Sequence, residues 1–256
     1  MMLKISKYIV YDILRSKVLL TYSLFLILAS FALFYFESDN SKSLVSLLSV
    51  VQIMVPLISI IFTTTYIYNA SEFMELLVAQ PLSRNTILLG VFTGIAISMT
   101  LAVFLGIGIP VMVYEPDASG FTLLGSAIAL TLIFTSLAFF SAVAMRDKVK
   151  GVGLSLMLWF YFAVIYDAIV LAVLFAFNDY PLETVVLVMA SLNPIDLARI
   201  LVLMQLDISA LMGFTGAVYK QFFGTSAGIS FVATMLNCWI LLPLLASVWI
   251  FKRKNL

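Results

Sequence analysis

One carboxylate stands out as a group that could do chemistry. Asp167 is the only charged residue in the apolar run from Val152 to Phe177. An isolated carboxylate in hydrocarbon costs several kcal/mol unless it is paired, hydrated or protonated, so Asp167 is expected to face protein or water. Tyr161, Tyr166, Thr234 and Asn237 are its candidate hydrogen-bonding partners, and its expected role is at a dimer seam or in gating. The plainer alternative is a structural, hydrogen-bonded acid. No other Asp or Glu falls inside an apolar run, which argues against a two-aspartate protease. Histidine is absent, which removes Ser/His and Cys/His nucleophiles and the zinc signatures. Cys238 is the single cysteine, so neither an internal disulfide nor a thiolate cluster can form. Met189, Met204, Met212 and Met235 join Cys238 as soft sulfur of the kind Cu(I) favours, but no M-x-x-M or M-x-M spacing clusters them. Gap filling in apolar helices is the stronger reading, and no metal ligands are assigned.

The elements that must position these groups follow from composition. With 63% hydrophobic and 11% charged residues, the 256-residue chain cannot coat a soluble domain with polar surface. Lipid is its solvent. Runs long enough to cross ~30 Å of hydrocarbon as helices occur at about 18–36, 44–68, 87–114, 121–145, 152–177 and 229–251. The expected fold is all-α: one polytopic membrane domain over 1–256 with six transmembrane helices. A nucleic-acid role is disfavoured, because the basic residues are divided between loops and form no single patch. The first run is too long for a signal-peptide core and lacks an A-x-A-like site, so it is expected to be retained. Gly90-x-x-x-Gly94 offers a close helix contact face, and Pro56, Pro110 and Pro243 can kink spans two, three and six.

Charge sets the expected orientation. Of the fourteen Lys and Arg, all but Lys42, Arg199 and Lys220 fall in the amino terminus, the 69–86 loop, the 146–150 loop and the tail. The positive-inside rule therefore places both termini in the cytoplasm. Before the first span, Lys4, Lys7, Arg15 and Lys17 alternate with Ile5, Tyr8, Ile9 and Ile13 at helical spacing, the pattern of an amphipathic helix lying on membrane lipid.

Two loops look structured. In the external segment 178–228, Asn193 can cap a helix that opens on Pro194 and runs to about Gln205. Leu197, Ile200, Leu201 and Met204 would share its apolar face, with Asp196, Arg199 and Asp207 on the polar side. Interfacial or re-entrant helices here would form an external cap, with Asn193, Pro194, Asp196 and Arg199 as candidate partner contacts. In the 69–86 loop, Asn69 reads as an N-cap, and a helix to Gln80 is stopped by Pro81. Leu76 and Leu77 would be its apolar surface, with Glu72 and Glu75 on the polar one. Such a helix can be gripped by a soluble protein, or can simply anchor span three.

The stretch Glu72-Phe-Met-Glu-Leu-Leu-Val-Ala-Gln-Pro-Leu-Ser-Arg84, followed by an apolar span with Gly90, resembles the coupling segment of ABC-2 type transporter permeases. Many members have Gly-Thr before the Leu-Leu pair where this chain has Phe73 and Met74. Six spans, the basic amino-terminal helix and the external helices match that family along essentially the whole chain. Trp159-Phe-Tyr-Phe-Ala-Val-Ile-Tyr-Asp167 and Asn193-Pro-Ile-Asp-Leu-Ala-Arg-Ile200 look most like its NosY branch.

The resemblance implies a homodimer in the bacterial inner membrane. It would engage two NosF-like ABC ATPase subunits through Asn69, Glu72, Glu75, Leu76, Leu77, Gln80, Pro81 and Arg84. ATP and Mg would bind the ATPase, since this chain lacks a G-x-x-x-x-G-K-[ST] loop and is expected to be no enzyme and to bind no cofactor. A periplasmic NosD-like protein and a copper-delivering NosL-like lipoprotein would meet the outer face during copper-site maturation of nitrous oxide reductase, with copper possible in the complex. The alternative is an ABC-2 exporter permease for a hydrophobic or lipid-like substrate.

Overall fold

Small residues decide which helix sits at the centre. The computed structural model describes residues 2–37, 39–177, 183–206 and 226–253. Helix α7, Ala118–Ala144, carries Ser126, Ala127, Thr131, Thr135, Ser136, Ala138, Ser141 and Ala142, all buried. Without a hydrophobic force between helices in lipid, side chains this small let backbones approach and gain dispersion contacts. Packed around α7 are α3 (Asn40–Asn69), α5 (Arg84–Val103), α8 (Lys148–Phe160), α11 (Pro194–Gln205) and α12 (Ser226–Arg253). Ser136 Oγ donates to the Ile240 carbonyl at 2.7 Å, pinning α7 to α12.

Six helices are long and apolar enough to span a membrane, and the described residues contain no strand. They are α2 (Lys17–Phe36), α3, the 84–114 assembly, α7, the 148–176 assembly and α12. In the 84–114 assembly, α5 runs into a π turn over Phe104–Gly108 and then α6, Ile109–Tyr114. Pro110 supplies the reason: it has no N–H to offer the carbonyl of Gly106 four residues back. Pro56 and Pro243 lie inside unbroken helices. A second π turn, Tyr161–Ile165, separates α8 from α9 (Tyr166–Ala176) and contains no proline.

The amino-terminal helix α1, Met2–Leu14, was expected to lie on lipid. Its apolar face instead packs on protein. Ile5, Ile9 and Ile13 are buried, and Ser6 Oγ donates to the Gly90 carbonyl at 3.0 Å. Gly90 and Gly94 form the slot that receives this face: a Cβ on Gly94 would lie 2.8 Å from the Cβ of Ile9. The expected glycine contact face is therefore present, and its occupant is α1.

One end of the bundle gathers the basic loops. Tyr66 donates to Asp12 at 2.9 Å, Lys148 Nζ donates to Asn69 at 2.8 Å, and Arg84 reaches the Phe251 carbonyl at 3.5 Å. At the opposite end, Asn40 Nδ2 donates to the Tyr114 carbonyl and to Glu115, closing α3 against the turn after α6.

Candidate functional site

Between α3 and α5 at the basic end lies α4, Ser71–Val78. It is shorter than the sequence pattern implies, and Asn69 does not cap it. Asn69 stays in the last turn of α3 and accepts from Lys148, while Ala70, with φ −89° and ψ 10°, is the one-residue joint between the helices. The apolar pair also divides. Leu77 is buried, but Leu76 is 68% exposed beside exposed Glu72, Glu75, Gln80 and Pro81. An exposed leucine framed by two carboxylates is a surface that a basic-rimmed groove on a soluble protein can grip.

The inner side of α4 is tied to the bundle. Phe73 stacks on Tyr8 of α1 with ring centroids 5.1 Å apart. A cavity of about 230 Å³ between α4 and the bundle is lined by Met74, Leu88, Phe139, Arg146 and Phe251, with exposed Glu75 also on its lining. Helix α4 is thus joined to α1 through an aromatic stack, and α1 to α5 through the Ile5 and Ile9 contacts on Gly90 and Gly94. Arg84 extends the same surface to the end of α12.

The second cluster lies at membrane depth. Helix α10, Glu183–Ser191, and α11 form a re-entrant hairpin whose tip is Asn193. Asn193 caps α11 as expected, accepting from the Ile195 N–H at 3.0 Å. Its Nδ2 also donates to the Phe162 carbonyl and to Asp196 Oδ2, each at 3.0 Å. Phe162 lies fourteen residues beyond Lys148, or about 21 Å along the helix. The tip thus sits well inside the ~30 Å hydrocarbon span and not on its surface. This contact also explains the π turn without proline: the side chain of Asn193 takes a carbonyl released from the helical ladder.

Asp167 has a partner that the sequence did not identify. Arg199 Nη1 lies 3.7 Å from Asp167 Oδ2, and Nη2 lies 2.8 Å from Asp196 Oδ1. Thr234 and Asn237 instead bond carbonyls of their own helix, at Ser230 and Ala233. Tyr166 donates to the Met189 carbonyl at 2.7 Å, fastening span five to α10. Asp196, expected on a polar outer side, is 7% exposed. Its carboxylate is met there by the Arg199 guanidinium and the Asn193 amide. Pro194 opens α11 and is buried as well, so all four residues expected to meet an external partner pack against or point toward the bundle. Asp207 and Met212 lie outside the described residues.

A short helix exposed at the basic end, a glycine-slotted amino-terminal helix and a polar hairpin tip are joined through one bundle. Residues 4–256 match the family described as ABC-2 family transporter protein. The chain belongs to that family. It is 28% identical over 223 residues to a probable ABC transporter permease protein NosY of Pseudomonas aeruginosa, covering 79% of this chain and 81% of the relative. It is 27% identical over 231 residues to a protein of the same description from Stutzerimonas stutzeri, covering 83% of this chain and 80% of the relative. As an ABC-2 permease the chain is a multi-pass subunit of an ABC transporter, a class in which hydrolysis is typically performed by another subunit.

Sequence reasoning missed two features of this ABC-2 permease: the Tyr8–Phe73 stack and the Arg199 bridge. Opposite charges in two otherwise apolar segments were the available signal for the second. Met204 and Met235 pack against the apolar core, and Cys238 is exposed.

Proposed function

We propose that this permease converts ATP-driven movement of a separate NosF-like ATPase into a rearrangement at the opposite, periplasmic face during copper-site assembly of nitrous oxide reductase. Its termini and α4 face the cytoplasm of a bacterial inner-membrane protein, by the positive-inside distribution of its loops. The observation that carries the reading is the division of α4. Leu76, Glu72 and Glu75 are free to be gripped, while Leu77 and Phe73 anchor the same short helix to the bundle.

Closure of two ATPases beneath a permease homodimer would drive the paired α4 helices together. Short rigid contacts favour transmission over local melting, because packed elements shift between discrete arrangements. Movement of α5 and α7 bears on α11, which is locked to span five by Asn193 and Arg199. The hairpin is the element positioned to alter the face offered to NosD-like and NosL-like partners. The two relatives named NosY support that assignment, and the family membership supports the ATPase partner.

Co-purification from the native membrane tests the reading. It predicts recovery of a P-loop ATPase with the permease, and copper-deficient nitrous oxide reductase in cells carrying Asp167→Leu at normal permease levels. Fully loaded reductase in those cells would remove Asp167 from the mechanism. Recovery of the permease as an active unit without an ATPase would remove the whole proposal.

A further inference from the structure

A large cavity meets the first cluster only at Asn69. It is a cleft of about 830 Å³ between α2 and α3, within the roughly 300–1,000 Å³ range of ligand sites. It runs from Ser16 to Phe25 on α2 and from Asn69 back to Ile58 on α3, about 14–17 Å of helix. That depth equals one leaflet, half of ~30 Å of hydrocarbon. The lining is chemically graded. Lys17 and Asn69 stand at the basic end, while Phe25, Ile58 and Ile61 line the deep part.

We propose that this cleft holds one anionic phospholipid of the leaflet at the basic end, its phosphate at Lys17 and one acyl chain along Phe25 and Ile61. Charge complementarity selects this occupant. Lys17 is exposed and makes no ion pair among the described residues. It also opens α2, where the first N–H groups and helix dipole favour an anion. Tyr22 supplies an independent observation: it lines the cleft, is 3% exposed, and its hydroxyl has no hydrogen-bond partner. An ester carbonyl of a lipid seated in the cleft would offer that hydroxyl an acceptor. The inference does not depend on the proposed function, because it concerns a resident lipid at a cleft that the coupling path does not use.

The test is native mass spectrometry of the purified permease, with any subunit that accompanies it, after incubation in detergent with phosphatidylglycerol or phosphatidylcholine. The wild type should retain one phosphatidylglycerol in preference to phosphatidylcholine. Lys17→Gln should lower that retention about fivefold, the effect of one basic residue at an anionic surface. Lys7→Gln, a charge loss at an exposed residue of α1 outside the cleft, should leave it unchanged. Thr21→Trp, which fills the cleft, should abolish it. Equal retention of the two lipids, or equal losses for Lys17→Gln and Lys7→Gln, would overturn the proposal. So would disulfide-linked dimers of Phe25→Cys in a Cys238→Ser background together with no bound lipid, since a second copy would then cover the cleft.

Discussion

The side-chain amide of Asn193 donates to the main-chain carbonyl of Phe162 at 3.0 Å, joining the tip of a re-entrant hairpin to the π turn of span five. A carbonyl freed from a helical ladder in hydrocarbon has no water to turn to, so one residue both permits the π turn and holds the hairpin at depth. Asn193 is completely buried, and both its amide N–H groups and its oxygen are engaged. Asn193→Leu removes three hydrogen bonds and strands their partners. Thermal unfolding of the purified protein should show a loss of about 3 kcal/mol or more. Asn193→Asp keeps the cap but loses both donors and places a carboxylate beside Asp196. It should also be strongly destabilised; a variant as stable as wild type would separate the π turn from the hairpin.

Arg199 serves two carboxylates, and they are unequal. Asp196 is buried and held at 2.8 Å, whereas Asp167 is 41% exposed at 3.7 Å. Arg199→Leu should cost about 2–4 kcal/mol, because it leaves Asp196 without its cation. Asp167→Asn should cost less, because Arg199 keeps its shorter bond to Asp196 and no carboxylate is left without a cation. Chemical denaturation of both variants checks the order. Equal costs would mean that the two carboxylates share the cation equally.

The six spans were legible because lipid demands long apolar runs, and each observed helix overlaps its expected range. The cap at Asn193-Pro194 was legible because capping chemistry is local. Asn69 misled for the opposite reason: the same residue type can cap a helix or finish one, and the thirty-residue α3 simply continues through it. Neither π turn was legible as such, since a five-residue change of pitch leaves no mark on an apolar run. Pro110 explains one afterwards, and Asn193, thirty-one residues from Phe162, explains the other. The Asp167–Arg199 bridge is likewise a tertiary fact: sequence marked both charges as costly without pairing them.

The α1 slot gives a prediction in which two lesions should compensate. A Cβ on Gly94 meets Ile9 at 2.8 Å, so Gly94→Ala should overpack the interface and cost about 1–3 kcal/mol. Ile9→Ala alone should leave a cavity and cost about 2–4 kcal/mol. The double variant should lose less than the sum of the two, measured as a double-mutant cycle. Strict additivity would mean that α1 does not occupy this slot.

Phe73→Ala removes the stack on Tyr8 while leaving the outer face of α4 intact. In the complex, the ATPase should still bind the permease, and reductase maturation should fall. Loss of ATPase binding instead would place Phe73 on the docking surface and not on the path behind it.

The most direct measurement is ATPase co-purification with Leu76→Glu. Leu76 is 68% exposed, so the change should move the permease's unfolding transition by less than about 0.5 kcal/mol. Even so, association with the ATPase should fall at least about tenfold, the effect of losing an interface contact worth about 1.4 kcal/mol. A folded Leu76→Glu permease that retains its ATPase at wild-type affinity and supports hydrolysis at the wild-type rate would contradict the assignment of α4 as the element through which motion enters.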